Sequence, residues 1–175
     1  MRITGGYYCS RIIRCPPGEI RPSMDRMRES VFSILGDLEG TSFLDLFSGT
    51  GIIGIEAASR GADPVVLVEK DPRKKATILK NISFVESSIE LSVASVEAFL
   101  RRDSRLFDCI FLDPPFAFSA KSEILEQACQ GPHLRPGGLA LMHLHKAERL
   151  EPLPEGFRIV DRREYGQSVV LFIRA

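Results

Sequence analysis

Leu44-Asp45-Leu46-Phe47-Ser48-Gly49-Thr50-Gly51 is the stretch on which the architecture turns. From Thr41 to Phe47 the chain is apolar on both faces apart from Asp45, the pattern of a strand covered on both sides. The glycines at 49 and 51 then permit a sharp turn and a close approach of backbone to whatever lies above it. Ile52 to Ser59, rich in Ile and Ala, reads as a helix that stops near Gly61. Strand, glycine turn and helix in that order make the opening unit of an α/β sheet, in which ligands sit beyond the carboxyl ends of the strands where strand order reverses.

Downstream the alternation continues. Pro64 to Val68 is an apolar run of strand length, and Arg73 to Phe84 has helical spacing at Ala76, Leu79 and Ile82 with a cationic outer face of Arg73, Lys74, Lys75 and Lys80. Strands at Ile89–Ala94 and Asp108–Leu112 flank a helix at Val96–Arg102, and a helix near Ser122–Cys129 leads through Pro136-Gly137-Gly138 to a strand at Leu139–His143. Two last runs, Phe157–Arg163 and Gln167–Arg174, leave no room for a crossover helix around Tyr165-Gly166, so they must pair antiparallel. The pattern predicts an α/β, doubly wound, mainly parallel seven-stranded sheet with an antiparallel last strand.

Upstream, Arg2–Gly5 and Cys9–Arg14 predict a β-hairpin across Gly6-Tyr7-Tyr8, which Pro16-Pro17-Gly18 then interrupts. From Asp25, Met27, Val31 and Leu35 together with Met24, Arg28 and Phe32 wind one apolar helical face, with Ser23 or Asp25 as N-cap and Gly36 as stop. The expected organisation is a hairpin-and-helix appendage over 1–40 on one compact unit over 41–175.

Length and composition, 175 residues with 44% apolar and 26% charged, suit one globular core. No apolar run is long enough to cross a bilayer and the first residues lack the apolar core of a signal peptide, so a cytoplasmic protein without a membrane partner is expected. Lys plus Arg and Asp plus Glu are 23 each, so charge alone names no polyanionic partner. Its distribution says more. Arg2, Arg11 and Arg14 are the only formally charged side chains from Met1 to Gly18, and Arg21, Arg26 and Arg28 follow closely. One arginine-weighted surface on a neutral body suits phosphate contact, or is simply a solvated edge. Cys9, Cys15, Cys109 and Cys129 have no paired spacing and read as buried or incidental thiols. His143 and His145 would share a strand face but lack further ligands nearby, so no metal site is expected.

Two stretches carry the chemistry. Near the end of the first strand, the Asp45 carboxylate can accept from an ammonium group, and the helix from Ile52 aims its free N–H groups at the same place. Glu69, ending the second apolar strand, can take both hydroxyls of a ribose. Gly49 to Gly54 also spells G-x-G-x-x-G, so a dinucleotide has to be weighed; an acid at 45 would oppose its pyrophosphate, whereas S-adenosylmethionine has no phosphate and carries an ammonium. The second stretch is Asp113-Pro114-Pro115-Phe116, after the buried-strand run Cys109-Ile110-Phe111-Leu112. The prolines carry no N–H and hold the chain extended, which leaves the Asp113 and Pro114 carbonyls without ladder partners. Free acceptors beside a flat ring suit a planar amino group; the plain alternative is a Pro-Pro strand stop.

Leu44 to Gly51 resembles the first motif of class I S-adenosylmethionine-dependent methyltransferases, and Asp113 to Phe116 resembles the (D/N)-P-P-(F/Y/W) motif of those that methylate exocyclic amino groups of bases. Arg2-Ile3-Thr4-Gly5-Gly6, then Arg21-Pro22-Ser23-Met24-Asp25-Arg26-Met27-Arg28-Glu29, then Gly54 to Ala62 is similar to the RsmD family, over essentially the whole chain. The resemblance implies a Rossmann-like methyltransferase fold and transfer of a methyl group to guanine N2 in small-subunit ribosomal RNA, free or in an assembling subunit, by a monomer. A DNA amino-methyltransferase, or a Rossmann-fold RNA-binding assembly factor without turnover, is the alternative. By the same resemblance Asp113, Pro114, Pro115 and Phe116 form the catalytic loop. Asp45, Phe47, Gly49, Thr50, Gly51, Glu69, Lys70, Ser95 and Val96 hold S-adenosylmethionine, and Arg2, Arg11, Arg14, Arg21, Arg26 and Arg28 face RNA. The chain departs from the family at Ser95, where an Asp or Asn often meets the adenine amino group, and around His143-Leu144-His145, where an acid is common.

Overall fold

A computed structural model describes residues 1–15 and 25–175. Strands β1 (Phe43–Leu46), β2 (Val65–Glu69), β3 (Ile89–Val93), β4 (Phe107–Leu112) and β5 (Leu134–His145) run parallel. β6 (Arg158–Tyr165) and β7 (Ser168–Arg174) form a hairpin, and β7 is inserted antiparallel to β5. The seven-stranded order β3-β2-β1-β4-β5-β7-β6 reverses between β1 and β4. The expected α/β doubly wound sheet is therefore present, and the reversal places a crevice at the carboxyl ends of β1 and β4.

Helices α1 (Asp25–Leu35), α2 (Ile52–Ser59) and α3 (Lys75–Ile82) cover one face of the sheet, and α4 (Val96–Arg102) and α5 (Lys121–Gln130) the other. Alternation along β1 decides which side chain meets which layer. Phe43 packs beneath α1 and α2, while Leu44 and Leu46 join Val66, Ile110, Phe99 and Ile124 under α4 and α5. Asp45 shares the face of Phe43 and so lies under α2, every residue of which is buried. Gly54 makes that close packing possible: a Cβ there would come within 2.1 Å of the Leu67 side chain.

Several boundaries move for local reasons. The expected helix from Arg73 is preceded by a 3₁₀ turn, Pro72–Lys74, because Asp71 caps it by accepting from the Arg73 amide at 3.0 Å and Pro72 starts it without an N–H. β5 extends back through Pro136-Gly137-Gly138 to Leu134, with a register shift against β4 between Phe107 and Cys109 absorbing the irregular residues.

The N-terminal pair is less regular than a hairpin ladder. Among the described residues one antiparallel bridge forms here, Arg2 with Ile12, flanked by hydrogen bonds from the Ile3 amide to the Arg11 carbonyl and from the Ile13 amide to the Met1 carbonyl. Other polar groups of this segment bond to the body. Tyr7 N–H donates to the Ser59 carbonyl at 2.7 Å, Thr4 N–H to Glu56 at 2.8 Å, and the Ser59 hydroxyl to the Gly5 carbonyl at 2.6 Å. Gly6, at φ +75°, passes so close to the end of α2 that a Cβ would lie 1.7 Å from the Ser59 carbonyl oxygen. Ile3 and Ile13 join the same buried cluster as Met27, Phe32 and Ile55. Ser23, Pro16-Pro17-Gly18 and Arg21 lie outside the described residues.

Candidate active site

A cleft of about 700 Å³ opens at the reversal point. Its floor is the turn after β1, one wall is the end of β2 with Glu69 and Lys70, a second is Ser95, Val96 and Glu97 at the start of α4, and a third is the loop after β4 with Asp113, Pro114 and Pro115. The acid and glycine turn of the first stretch thus share one cavity with the Asp-Pro-Pro stretch.

Asp45 is wholly buried. Its Oδ2 accepts from the Gly54 amide at 3.0 Å, and its Oδ1 has no partner among the described residues. Burial holds this carboxyl well above the ordinary carboxylate range; the Gly54 hydrogen bond opposes the rise, and the nearby Asp113 and Glu69 charges add to it. A buried acceptor left bare at the edge of a cavity could take a hydrogen-bond donor there, and a cationic one such as an ammonium would favour its ionised form.

Glu69 is buried at the strand end and already engaged. Oε2 accepts from the Gly49 amide at 3.0 Å and from Lys74 Nζ at 3.3 Å, and Oε1 accepts from the Asp71 amide at 2.9 Å. It therefore braces the glycine turn as well as facing the cleft, with lone pairs left over for hydroxyl donors. Gly51, at φ +80°, starts α2 from behind the cavity wall, and Gly49, at φ +59°, turns the chain above it. Phe47 also adopts a positive φ, 65°, which sets its ring edge-on to Phe118 at 5.3 Å as part of the cleft lining. Ser95 caps α4, accepting from the Ala98 amide at 3.2 Å, so its oxygen is in use while its hydroxyl hydrogen can still be donated.

At the second stretch, the Asp113 amide donates to the Leu46 carbonyl at 3.2 Å, tying the loop to the end of β1. Asp113 Oδ1 is 2.8 Å from His143 Nδ1. The Pro115 carbonyl accepts from the Phe118 amide at 2.8 Å, and no backbone N–H among the described residues donates to the Pro114 carbonyl. Phe116 departs from expectation. Its ring lies outside the main cleft, edge-on to His145 at 5.3 Å and to His143 at 6.4 Å, and it lines a neighbouring depression of about 350 Å³.

The expected RNA-facing set divides. Arg2, Arg11, Arg14 and Arg26 have exposed side chains, with the Arg11 guanidinium 4.6 Å above the Phe84 ring. Arg28 is corrected by the structure: it is entirely buried and paired with Glu56 at 3.2 Å and Asp25 at 2.6 Å, so it cannot meet a phosphate from there. Its helical spacing with Phe32 put it on the buried face, and a cation at a core position was the signal of an interior partner. Sequence reasoning missed Lys74, Phe118 and Asn81. Asn81 donates to both the Arg14 and Thr50 carbonyls, at 2.9 and 3.1 Å, and so fastens the N-terminal segment to the glycine turn. Cys109 and Cys129 are the buried thiols expected, and burial pushes the Cys129 thiol up to about 12. No described helix is long and apolar enough to cross a membrane.

Comparison with known proteins agrees with this arrangement. The ribosomal RNA small subunit methyltransferase D of Haemophilus influenzae is 29% identical over 174 residues, 95% of this chain and 89% of that one. The Bacillus subtilis protein YlbH is 30% identical over 179 residues, 97% of this chain and 96% of that one. A solved structure of a hypothetical protein from Thermus thermophilus has a TM-score of 0.85 and 27% identity over 100% of this chain and 99% of that one. The profile of the family described as "Conserved hypothetical protein 95" matches residues 1–174. With a match from end to end, and relatives named as small subunit methyltransferase D, this chain belongs to that family, the RsmD family.

Proposed function

We propose that this protein transfers a methyl group from S-adenosylmethionine to the exocyclic N2 amino group of a guanine in small-subunit ribosomal RNA. The observation that carries the reading is the shared cleft, in which the bare Asp45 oxygen and the Asp113-Pro114-Pro115 loop face one space. The names of the relatives support the RNA part. Asp45, Glu69, Glu97 and Asp113 outnumber Lys70 and Lys74 in the cleft lining, an acidic excess that suits a cationic donor and opposes the pyrophosphate of a dinucleotide.

Asp45 holds the donor's ammonium, and Glu69 with the glycine turn holds its ribose. S-adenosylmethionine held there would supply a methyl group on a positively charged sulfur: as nitrogen bonds the methyl carbon, sulfur would keep the electron pair of the broken carbon–sulfur bond as a neutral thioether, and the extra proton on nitrogen would pass to solvent. The guanine amine is a poor nucleophile because its lone pair is delocalised into the ring. Asp113 and the Pro114 carbonyl accept from its N–H groups, exposing the lone pair and aiming it along the cleft. Alignment of this kind lowers a barrier by roughly 7–11 kcal/mol. Because N2 is normally paired or stacked, the base has to be displaced at a cost of a few kcal/mol, which phosphate contacts at Arg2, Arg11, Arg14 and Arg26 offset.

The deciding experiment incubates the protein with labelled donor and, separately, unmodified small subunits, free small-subunit RNA and duplex DNA, with nucleoside mass spectrometry of the products. N2-methylguanosine in ribosomal RNA is expected; label confined to DNA, or none on any substrate, overturns the reading. Changing Arg11, Arg14 and Arg26 together to Ala is expected to weaken RNA binding and flatten its salt dependence by up to about three ions, read from binding constants against salt.

Asp45 yields a pH prediction. Its folded pKa is raised, so apo stability associated with the protonated form is full below the unfolded value and is lost as pH climbs through the folded one. An ammonium prefers the ionised carboxylate, so donor affinity changes in the opposite sense and weakens on acidification, by up to about tenfold per pH unit below the free-protein pKa. Calorimetric titration from neutral to acid pH should show this loss for the wild type and a weaker, flatter profile for Asp45→Asn. Parallel profiles would remove Asp45 from the ammonium site.

A further inference from the structure

We infer that His143 is a positioning residue that holds Asp113 Oδ1 through an Nδ1–H tautomer and so reserves Oδ2 for the target amine; this rests on the function proposed above. Parallel pairing sets Met142 of β5 against Leu112 of β4, so Asp113, the first residue past the end of β4, stands beside His143, which is still in β5 and paired on its other side with Val170 of β7. His143 Nδ1 lies 2.8 Å from Asp113 Oδ1, and no other side chain among the described residues donates to that carboxylate. The far ring nitrogen, Nε2, is buried without a partner among the described residues. A neutral imidazole carries one ring proton, and only at Nδ1 does that proton meet an acceptor; placed on Nε2 it would strand a buried donor and set two lone pairs against each other at 2.8 Å.

The consequence is geometric. An aspartate after a strand end can rotate about two side-chain bonds, and a carboxylate free to swing presents either oxygen in many orientations. A hydrogen bond from a ring that is itself packed in the sheet, with Phe116 edge-on to it at 6.4 Å, removes that freedom. The other oxygen has no hydrogen-bond donor among the described residues, on a residue that lines the cleft. Holding an acceptor in advance of substrate is worth more to turnover than to ground-state binding.

Three variants separate this role from packing. His143→Asn carries an amide N–H near the position of Nδ1, His143→Gln carries one near that of Nε2, and His143→Phe carries neither. Expected are a kcat about tenfold to a hundredfold lower for His143→Phe and His143→Gln, recovery to within about threefold for His143→Asn, and unchanged donor Kd and Tm throughout. Independently of activity, nitrogen NMR of histidine-labelled apoprotein should show Nδ1 protonated and Nε2 bare at His143, against the Nε2–H form usual for free imidazoles. A wild-type kcat in His143→Phe, an equal loss in the Asn and Gln variants, or a proton on Nε2 overturns the inference. If wild type methylates no RNA but the NMR shows Nδ1–H, the proposed function fails and the pairing of His143 with Asp113 stands.

Discussion

Asp113→Ala is expected to lower kcat about a hundredfold to a thousandfold, while the Kd for S-adenosylmethionine stays within about threefold of wild type. The reason lies in what the side chain touches. Asp113 is held by the Leu46 carbonyl at its amide and by His143 at one oxygen, and otherwise faces the cleft. In the proposed function the donor's ammonium is assigned to Asp45, near the end of the adjacent strand, so removing the 113 carboxylate would take away the acceptor proposed for the amine without opening the donor's proposed seat. It also relieves Asp45 of a like charge, which favours the ionised form and if anything strengthens ammonium binding. Fold stability should change little, because a partly exposed carboxylate in a loop has little packing to lose. Single-turnover methylation and calorimetric donor titration on the same preparation check the split. Preserved turnover would take the amine away from Asp113; a donor Kd raised in step with lost kcat would make it a donor-binding residue instead.

The sheet, its order of alternation and the glycine turn after β1 were legible because they are written in local patterns. Apolar runs, glycine turns and the short gap at Tyr165-Gly166 each force a backbone path without reference to distant residues. What stayed hidden depended on register between strands far apart in sequence. His143 is distinguished only by standing beside Asp113, thirty positions away, and nothing in either segment alone states the pairing. The same holds for Asn81, whose amide bridges Arg14 and Thr50. The position of Phe116 was hidden for a related reason: the sequence shows a ring after two prolines, and its edge-on contacts with His143 and His145 of β5 come from residues distant in sequence. The N-terminal hairpin is irregular, with one bridge, because its backbone groups divide between partners in the segment itself and partners on α2.

Glu56→Ala should destabilise the fold by about 3–5 kcal/mol, lowering Tm by roughly 6–20 °C for a chain of this size. Glu56 is fully buried on α2 and is the hub of a charged knot. One oxygen accepts from the Thr4 amide at 2.8 Å and from Arg28 Nε at 3.2 Å; the other accepts from the Thr4 hydroxyl at 3.1 Å and pairs with Arg60. Arg28 reaches on to the Arg2 carbonyl at 2.7 Å and to Asp25. Alanine would leave the Arg28 guanidinium buried without its interior carboxylate and cut the N-terminal segment from α2 at Thr4, so amides near Ile3 and Ile13 should exchange faster than those of β1 and β4. Glu164→Ala, which breaks an exposed pair with Arg162, is the matched control and should stay within about 0.5 kcal/mol. The contrast also separates anchoring from phosphate contact among the arginines. Arg26→Ala should leave Tm nearly unchanged and weaken RNA binding, whereas Arg28→Ala should lower Tm and weaken RNA binding only as far as the N-terminal segment loosens. Thermal unfolding of the four variants checks this, and an Arg28→Ala protein as stable as wild type would mean that the buried pair does not hold the segment in place.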